Sequence, residues 1–564
     1  MTLQPLSMIR KYLIITVCSG FIAACGGGGG SSSTPTTANA GGSGNTANAT
    51  STSTVSLTPS KNQTEVNNYV TLTWSSQNAT SCTASGNWNG TKSLSGSEDI
   101  HVTEEKTYTY TLTCSGASAS VNVAVYDPET EGTCTNPHTA EFDKKFMGDF
   151  TIPTPYNTVP SDAIKAVGLK DYGVRWIYGN YDTHTNESWL NRCTKNQYTN
   201  LMYRLTLRRL KQHGVEQVAV YNYGYWENAN ASQWKLSHST KHVTDYDLEY
   251  IVDTARDLGM KVHYAWQFLP LDRNNNFLFP FDGQVYVDMP LLEKILDAHE
   301  ENMLWQADYA QKIGISSISV DWSAMWLCFC GTDNTIKYDD PRQKEMKNYY
   351  MLRMSNLIDK VKQVFDGDIY MGEGPMWNDS RVVEKADYIY LNFSNLLSEQ
   401  DNKNLNVDIV TERVQDNLEK QYYNWYCLDD QPCGDYYSNI QVPWVLNLFA
   451  QSTRNFLVSG WVEDGFCTDG CMQYDVDVNF SAQAIYIEGM MRGAYLQTLW
   501  DIKGTSVSTG YWLSDSLQPA AYQTRQRTVE GFPNISQSIR GKPAEKILKY
   551  WYTGEYEQYY PKFK

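Results

Sequence analysis

Positive charge is scarce in this 564-residue chain: 46 lysines and arginines stand against 63 acidic residues, for a net charge of −17. No cluster of Lys or Arg interrupts that balance, which argues against a nucleic-acid partner. Histidines number only 8, and none has metal-ligand spacing. His238 and His242 are four apart but lack the glutamate of an HExxH arrangement, so neither a metal nor an organic cofactor is implied. No glycine-rich phosphate loop follows an early strand, which disfavours a doubly wound nucleotide-binding sheet. The apolar run Tyr12 to Ile22 is too short to span a bilayer comfortably.

That run has another use. Arg10 and Lys11 precede it, and Ala23, Ala24 and Cys25 follow it. A basic stretch, an apolar stretch and small residues before a cut site make a secretory signal over residues 1–24. Ile-Ala-Ala-Cys resembles the bacterial lipobox, in which the cysteine is acylated and becomes the new N-terminus. Ordinary cleavage near Ala24 would instead leave Cys25 a free thiol. The glycine run Gly26 to Gly30, continued by Ser, Thr, Ala and Asn, favours the anchor, because residues 25–53 cannot bury apolar area and read as a flexible tether. Several acyl chains on Cys25 would hold stably where one would not. Gly rather than Asp after Cys25 resembles the Gram-negative sorting pattern for an outer-membrane lipoprotein.

Of 12 cysteines, Cys18 leaves with the signal and Cys25 carries lipid, which leaves 10 in an exported chain. That even number points to disulfides. Cys427 with Cys433, and Cys467 with Cys471, are short-loop pairs. Cys82 with Cys114 is a pair within the first folded segment. The connectivity of Cys134, Cys193, Cys328 and Cys330 stays open, and metal binding by Cys-Phe-Cys at 328–330 is the alternative to a bridge there.

Residues 54–127 read as strands. Val70–Trp74, Thr107–Cys114 and Ser120–Val125 alternate, with Gly, Asn and Ser clusters between them. The segment resembles bacterial immunoglobulin-like domains behind lipoprotein tethers, and its expected job is spacing, with direct glycan binding as the alternative. From residue 135 to 564 strand-like runs alternate with helical stretches. The first strand is either Phe146–Ile152 or Gly173–Tyr178. Then come Val215–Tyr221, Lys261–Gln267, Ile315–Asp321, Asp368–Glu373, Tyr388–Asn392, Trp444–Phe449 and Thr505–Trp512. Eight strands with helical crossovers predict a (β/α)₈ TIM barrel after a small all-β sandwich.

Thr244–Val262 resembles the helix and third strand of barrel glycoside hydrolases, notably the family 113 type, and Ser538–Trp551 resembles the closing helix of the same kind of barrel. That resemblance implies a glutamate acid/base at the end of strand four and a glutamate nucleophile at strand seven. The sequence departs from both: strand four offers Asp321, and strand seven offers Asn447 and Gln451 with no carboxylate before Glu463. A strand-four aspartate with a strand-five glutamate resembles α-retaining barrel glycosidases instead. On that likeness Asp321 is the nucleophile and Glu373 the proton donor, with Glu463 as a third candidate. Tyr370, Met371, Met376 and Trp377 near Glu373 would desolvate it and raise its pKa. Each carboxylate has a structural alternative, such as capping a helix or pairing with an Arg.

The 40 tyrosines and 17 tryptophans suit a surface that binds sugars, although most belong in the core. Trp226, Trp266, Trp322, Trp377 and Trp512 fall at or just after strand ends, as sugar-stacking platforms would. Tyr221, His263, Gln267, Asn392 and Gln451 add neutral groups for hydroxyls. The expected partner is a poly- or oligosaccharide, handled by a monomeric glycoside hydrolase. A non-catalytic glycan binder on a degenerate barrel is the alternative.

Overall fold

The computed structural model describes residues 52–127, 130–131, 134–135, 144–170, 194–226, 236–237, 243–269, 285–321, 327–332, 335–336, 340–372, 380–392, 396–426, 443–452, 454, 457, 478–512 and 538–555. The chain divides into two compact units between residues 128 and 129.

The first unit is a sandwich. One sheet joins Thr54–Pro59, Asn68–Gln77 and Ser95–Val102, all antiparallel. The other runs in the order Gln63–Glu65, Ala117–Tyr126, Lys106–Cys114, Cys82–Gly86 and Gly90–Lys92. Alternate residues of both sheets, including Val70, Leu72, Trp74, Tyr110, Leu112 and Val123, fill one core, as the period of two requires. The outer positions carry hydroxyls that pair across strands, such as Thr111 with Ser120 at 3.0 Å and Thr113 with Ser118 at 2.8 Å. Cys82 and Cys114 are bonded, and they are direct partners on adjacent strands of one sheet. The bridge therefore closes a strand pair and does not join the two sheets.

The second unit is a closed barrel. Its strands are β1 (Ile164–Lys170), β2 (Gln217–Trp226), β3 (Lys261–Leu269), β4 (Ser317–Asp321), β5 (Asp368–Met371), β6 (Tyr388–Asn392), β7 (Trp444–Leu448) and β8 (Ile502–Trp512). Every neighbour pair is parallel, and β8 pairs with β1 to close the ring. The crossovers carry α1 (Lys195–Gln212), α2 (Asp245–Asp257), α3 (Met289–Ile313), α4 (Pro341–Val361), the single turn α5 (Ser380–Val383), α6 (Val407–Tyr426) and α7 (Phe480–Leu496). The helix α8 (Pro543–Thr553) follows β8. This is a (β/α)₈ barrel.

Local chemistry sets the boundaries. Thr244 caps α2 through a reciprocal box with Asp247, satisfying donors that the first turn leaves open. α3 ends at Gly314 with φ of 84°, a left-handed conformation that favours glycine. Gly489 and Gly493 lie one turn apart on α7, and a Cβ on either would come within 2.6 Å of Val410 or Val414 on α6. Their lack of side chains lets the two helices approach. The closing motif Ser538–Glu545 is a seam. Arg209 on α1 donates twice to Glu545, at 2.8 and 2.6 Å. Lys542 donates to Ser452 beyond β7 at 2.7 Å.

The first strand corrects both sequence expectations. It is Ile164–Lys170; Phe146 and Met147 instead lie in a 3₁₀ turn, and residues 173–178 fall outside the described residues. The run Ile-Lys-Ala-Val-Gly-Leu-Lys has small residues on its interior positions, so its apolar signal is weaker than that of either rival. Cys328 and Cys330 are bonded to each other, which makes Cys-Phe-Cys a bridge. Cys134 is disulfide-bonded as well.

Candidate active site

Barrel strands alternate between the helix-facing layer and the interior. Val262 and Tyr264 on β3, Ile318 and Val320 on β4, and Ile369 and Met371 on β5 join the core under the helices. Their alternates fill the barrel with an unusual set: His263, Ser317, Ser319, Tyr370, Tyr390 and Val445 in place of a purely branched aliphatic layer.

His263 is the hub. It is fully buried, with Nδ1 2.9 Å from the Ser317 hydroxyl and Nε2 2.9 Å from the Ser319 hydroxyl. Its ring lies 4.5 Å from Tyr370 and 5.5 Å from Tyr390, and those two rings lie 5.0 Å apart. Burial without a charged partner pushes its pKa down to about 3, so the imidazole is neutral, one nitrogen donating and the other accepting. Burial likewise pushes the Tyr370 and Tyr390 phenols up. The middle of the barrel is thus a neutral, low-dielectric layer. His263 was expected to meet sugar hydroxyls; it lies inside this layer with both nitrogens engaged.

The rim above that layer is built from strand ends. Trp226, Asp321, Asn392 and Trp512 are the last residues of β2, β4, β6 and β8. Trp266 and Gln267 lie near the end of β3, in register with Asn222 and Tyr223 of β2. Asp321 is in register with Met371, the last residue of β5. Asn392 is in register with Asn447. Tyr221 is half-buried, where the interior layer gives way to the rim. Gln451 is fully buried in the seam beyond β7, next to Ser452, which binds Lys542. Glu373, Glu463, Trp322, Trp377, Cys25, Cys427, Cys433, Cys467 and Cys471 lie outside the described residues.

Tyr390 was not singled out from the sequence. The signal was there: Tyr388, Tyr390 and Asn392 alternate with Ile389 and Leu391, a period of two within a strand buried on both faces.

No protein-family model and no curated protein matches the sequence. Among solved structures, the chain is similar to a GH113 β-1,4-mannanase at 15% identity and a TM-score of 0.42, covering 70% of this chain and 100% of that one. It is similar to the GH113 β-mannanase of Alicyclobacillus acidocaldarius in complex with ManMIm, at 15% identity and a TM-score of 0.42, covering 70% of this chain and 97% of that one. It is also similar to a GH5 enzyme of Bifidobacterium longum in complex with Manb1-4GlcNAc, at 10% identity and a TM-score of 0.38, covering 69% and 78%. Likenesses this distant carry no argument about chemistry, and the barrel assignment rests on the strand pairings themselves.

Proposed function

We propose that this chain is an exported glycoside hydrolase, held at the bacterial outer membrane by lipid on Cys25, that cleaves a poly- or oligosaccharide with two carboxyl groups. The observation that carries the reading is the pairing of β4 with β5, which sets Asp321 beside Met371 at the carboxyl ends of adjacent strands. Barrel enzymes build their sites at that end. Neighbouring strands lie about 5 Å apart, a spacing that suits the separation of nucleophile and acid in a retaining glycosidase. Glu373 follows two residues after Met371 in the chain. In this reading Asp321 is the nucleophile and Glu373 the proton donor, with Trp226 and Trp512 at the rim as stacking surfaces.

A second reading, a glycan binder without catalysis, is favoured by one observation: β7 and the described residues just after it, Trp444 to Ser452, contain no carboxylate. One experiment separates the two. Soluble protein beginning after Cys25 is incubated with a broad glycan panel, beside Asp321→Asn and Glu373→Gln. Hydrolysis is expected with the unaltered protein and a loss of about 1,000-fold or more in each variant. Binding without hydrolysis in all three would establish the binder. Hydrolysis unaffected in either variant would remove that residue from the mechanism.

A further inference from the structure

His263 does more than fill space, and what it does rests on the glycosidase reading above. Ser317, Ser319 and Asp321 occupy alternate positions of β4. The two serines are held from the β3 side by the two nitrogens of one imidazole, at 2.9 Å each. On the other side, β4 pairs with β5 regularly through Ser319 and Tyr370; the register then shifts, so that Asp321 instead of Val320 meets Met371. The irregularity falls between the second held serine and the candidate nucleophile. A strand that slips by one residue turns each side chain to its opposite face, so the backbone just before such a shift needs an anchor.

We infer that His263 is a positioning residue: by bridging Ser317 and Ser319 it fixes the backbone of β4 below the register shift, and so fixes where Asp321 is delivered to the rim. Packing alone would not call for this residue, since a leucine or phenylalanine would fill the space without a polar atom to satisfy. A neutral imidazole suits the task because it donates from one nitrogen and accepts at the other, and each serine hydroxyl can take the complementary role. Tyr370 and Tyr390 pack against the ring, the three rings forming one cluster. Burial holds the ring neutral, which keeps one nitrogen a donor and the other an acceptor for the two serines.

The test uses the soluble chain beginning after Cys25 and the best substrate from the glycan panel. His263→Leu, His263→Gln, Ser317→Ala and Ser319→Ala are compared with Leu207→Ala, a buried control on α1. A nucleophile displaced by about 1 Å costs on the order of 100-fold. His263→Leu is therefore expected to lose about that factor in kcat, with KM within about two-fold. His263→Gln, which keeps a donor and an acceptor, recovers roughly tenfold of the loss. Ser319→Ala, next to the shift, loses more than Ser317→Ala. The acid limb of the kcat/KM pH profile, which reports ionisation of the nucleophile, moves in His263→Leu and Ser319→Ala but not in Leu207→Ala. A His263→Leu protein that is less stable yet keeps kcat and the acid limb overturns the inference. If that variant does not fold, Ser319→Ala, which removes a single oxygen, decides: unchanged kcat and unchanged pH profile overturn it. An unaltered protein that hydrolyses nothing in the panel removes the glycosidase reading and this role with it. An active protein with insensitive His263 and Ser319 removes this role alone.

Discussion

Replacing Glu488 with glutamine probes how the first and last segments of the barrel unit are tied together. The carboxylate is fully buried on α7. Its Oε1 accepts from the Tyr156 backbone N–H at 2.9 Å and from Arg492 Nε at 2.7 Å, and its Oε2 accepts from the Trp551 indole at 2.7 Å. Tyr156 precedes β1 and Trp551 lies on α8, so one side chain gathers both ends of the barrel. Glutamine has the same shape but one acceptor oxygen. Placing that oxygen at Oε1 keeps two bonds and turns an amide N–H against the indole N–H; the reverse placement loses two bonds. The first is the cheaper. It forfeits one hydrogen bond to a charged group and leaves a buried donor without a partner, which together cost about 3 kcal/mol. Glu488→Ala, which strands all three donors, costs about 5 kcal/mol. The assay is urea unfolding followed by tryptophan fluorescence and far-UV circular dichroism, with a double-mutant cycle to Trp551→Phe. Removing the indole N–H relieves the clash, so the cycle gives a coupling of about 1–2 kcal/mol. A Glu488→Gln protein within about 0.5 kcal/mol of the unaltered one, or a cycle that is strictly additive, would refute the reasoning.

Barrel closure depends on Gly504: a Cβ there would come within 2.4 Å of the Ile164 side chain and carbonyl, so Gly504→Ala is expected to destabilise the barrel unit by about 3 kcal/mol or more in the same unfolding assay. His263 also gives a pH dependence of stability. Its pKa is near 3 when folded against an ordinary 6.5, so between those values the unfolded chain binds the extra proton and acid favours unfolding, by about 1.4 kcal/mol per pH unit. Urea midpoints measured from pH 7 down to pH 4 should fall less steeply in His263→Gln by that slope, and parallel slopes would count against the buried neutral ring.

Seven of the eight strands were legible because each is a β-branched or aromatic run, and three of them follow a glycine that ends the preceding helix: Gly214 before β2, Gly259 before β3 and Gly314 before β4. β1 was not legible, since Ala166 and Gly168 on its interior positions and Lys165 and Lys170 along it dilute the pattern. The strand end itself was legible at Asp321, which closes β4 after Val320. His263 was misread because mid-strand polarity in a parallel barrel reads the same for a pocket residue and for a satisfied interior one. The difference lies in Ser317 and Ser319, which are 54 and 56 residues away in the chain, and no local pattern links them. The structural weight of Glu488 was hidden for the same reason, because two of its three donors, Trp551 and Tyr156, come from positions 63 residues or more distant.

The Cys82–Cys114 bridge has a mechanical consequence. It fastens two adjacent strands of one sheet and encloses a segment with a sequence separation of 32 residues. A pull applied through the two ends of the sandwich can peel its outer strands and part its sheets, but it cannot pay out the chain between the two cysteines. At 3.3–3.6 Å per extended residue, that segment holds back about 110 Å of contour length. An oxidised sandwich under load therefore yields a short, limited extension, and a reduced one lengthens by about 110 Å more. Were the chain anchored and bound to a polymer as proposed above, the bridge would shorten the greatest extension of the link by that amount.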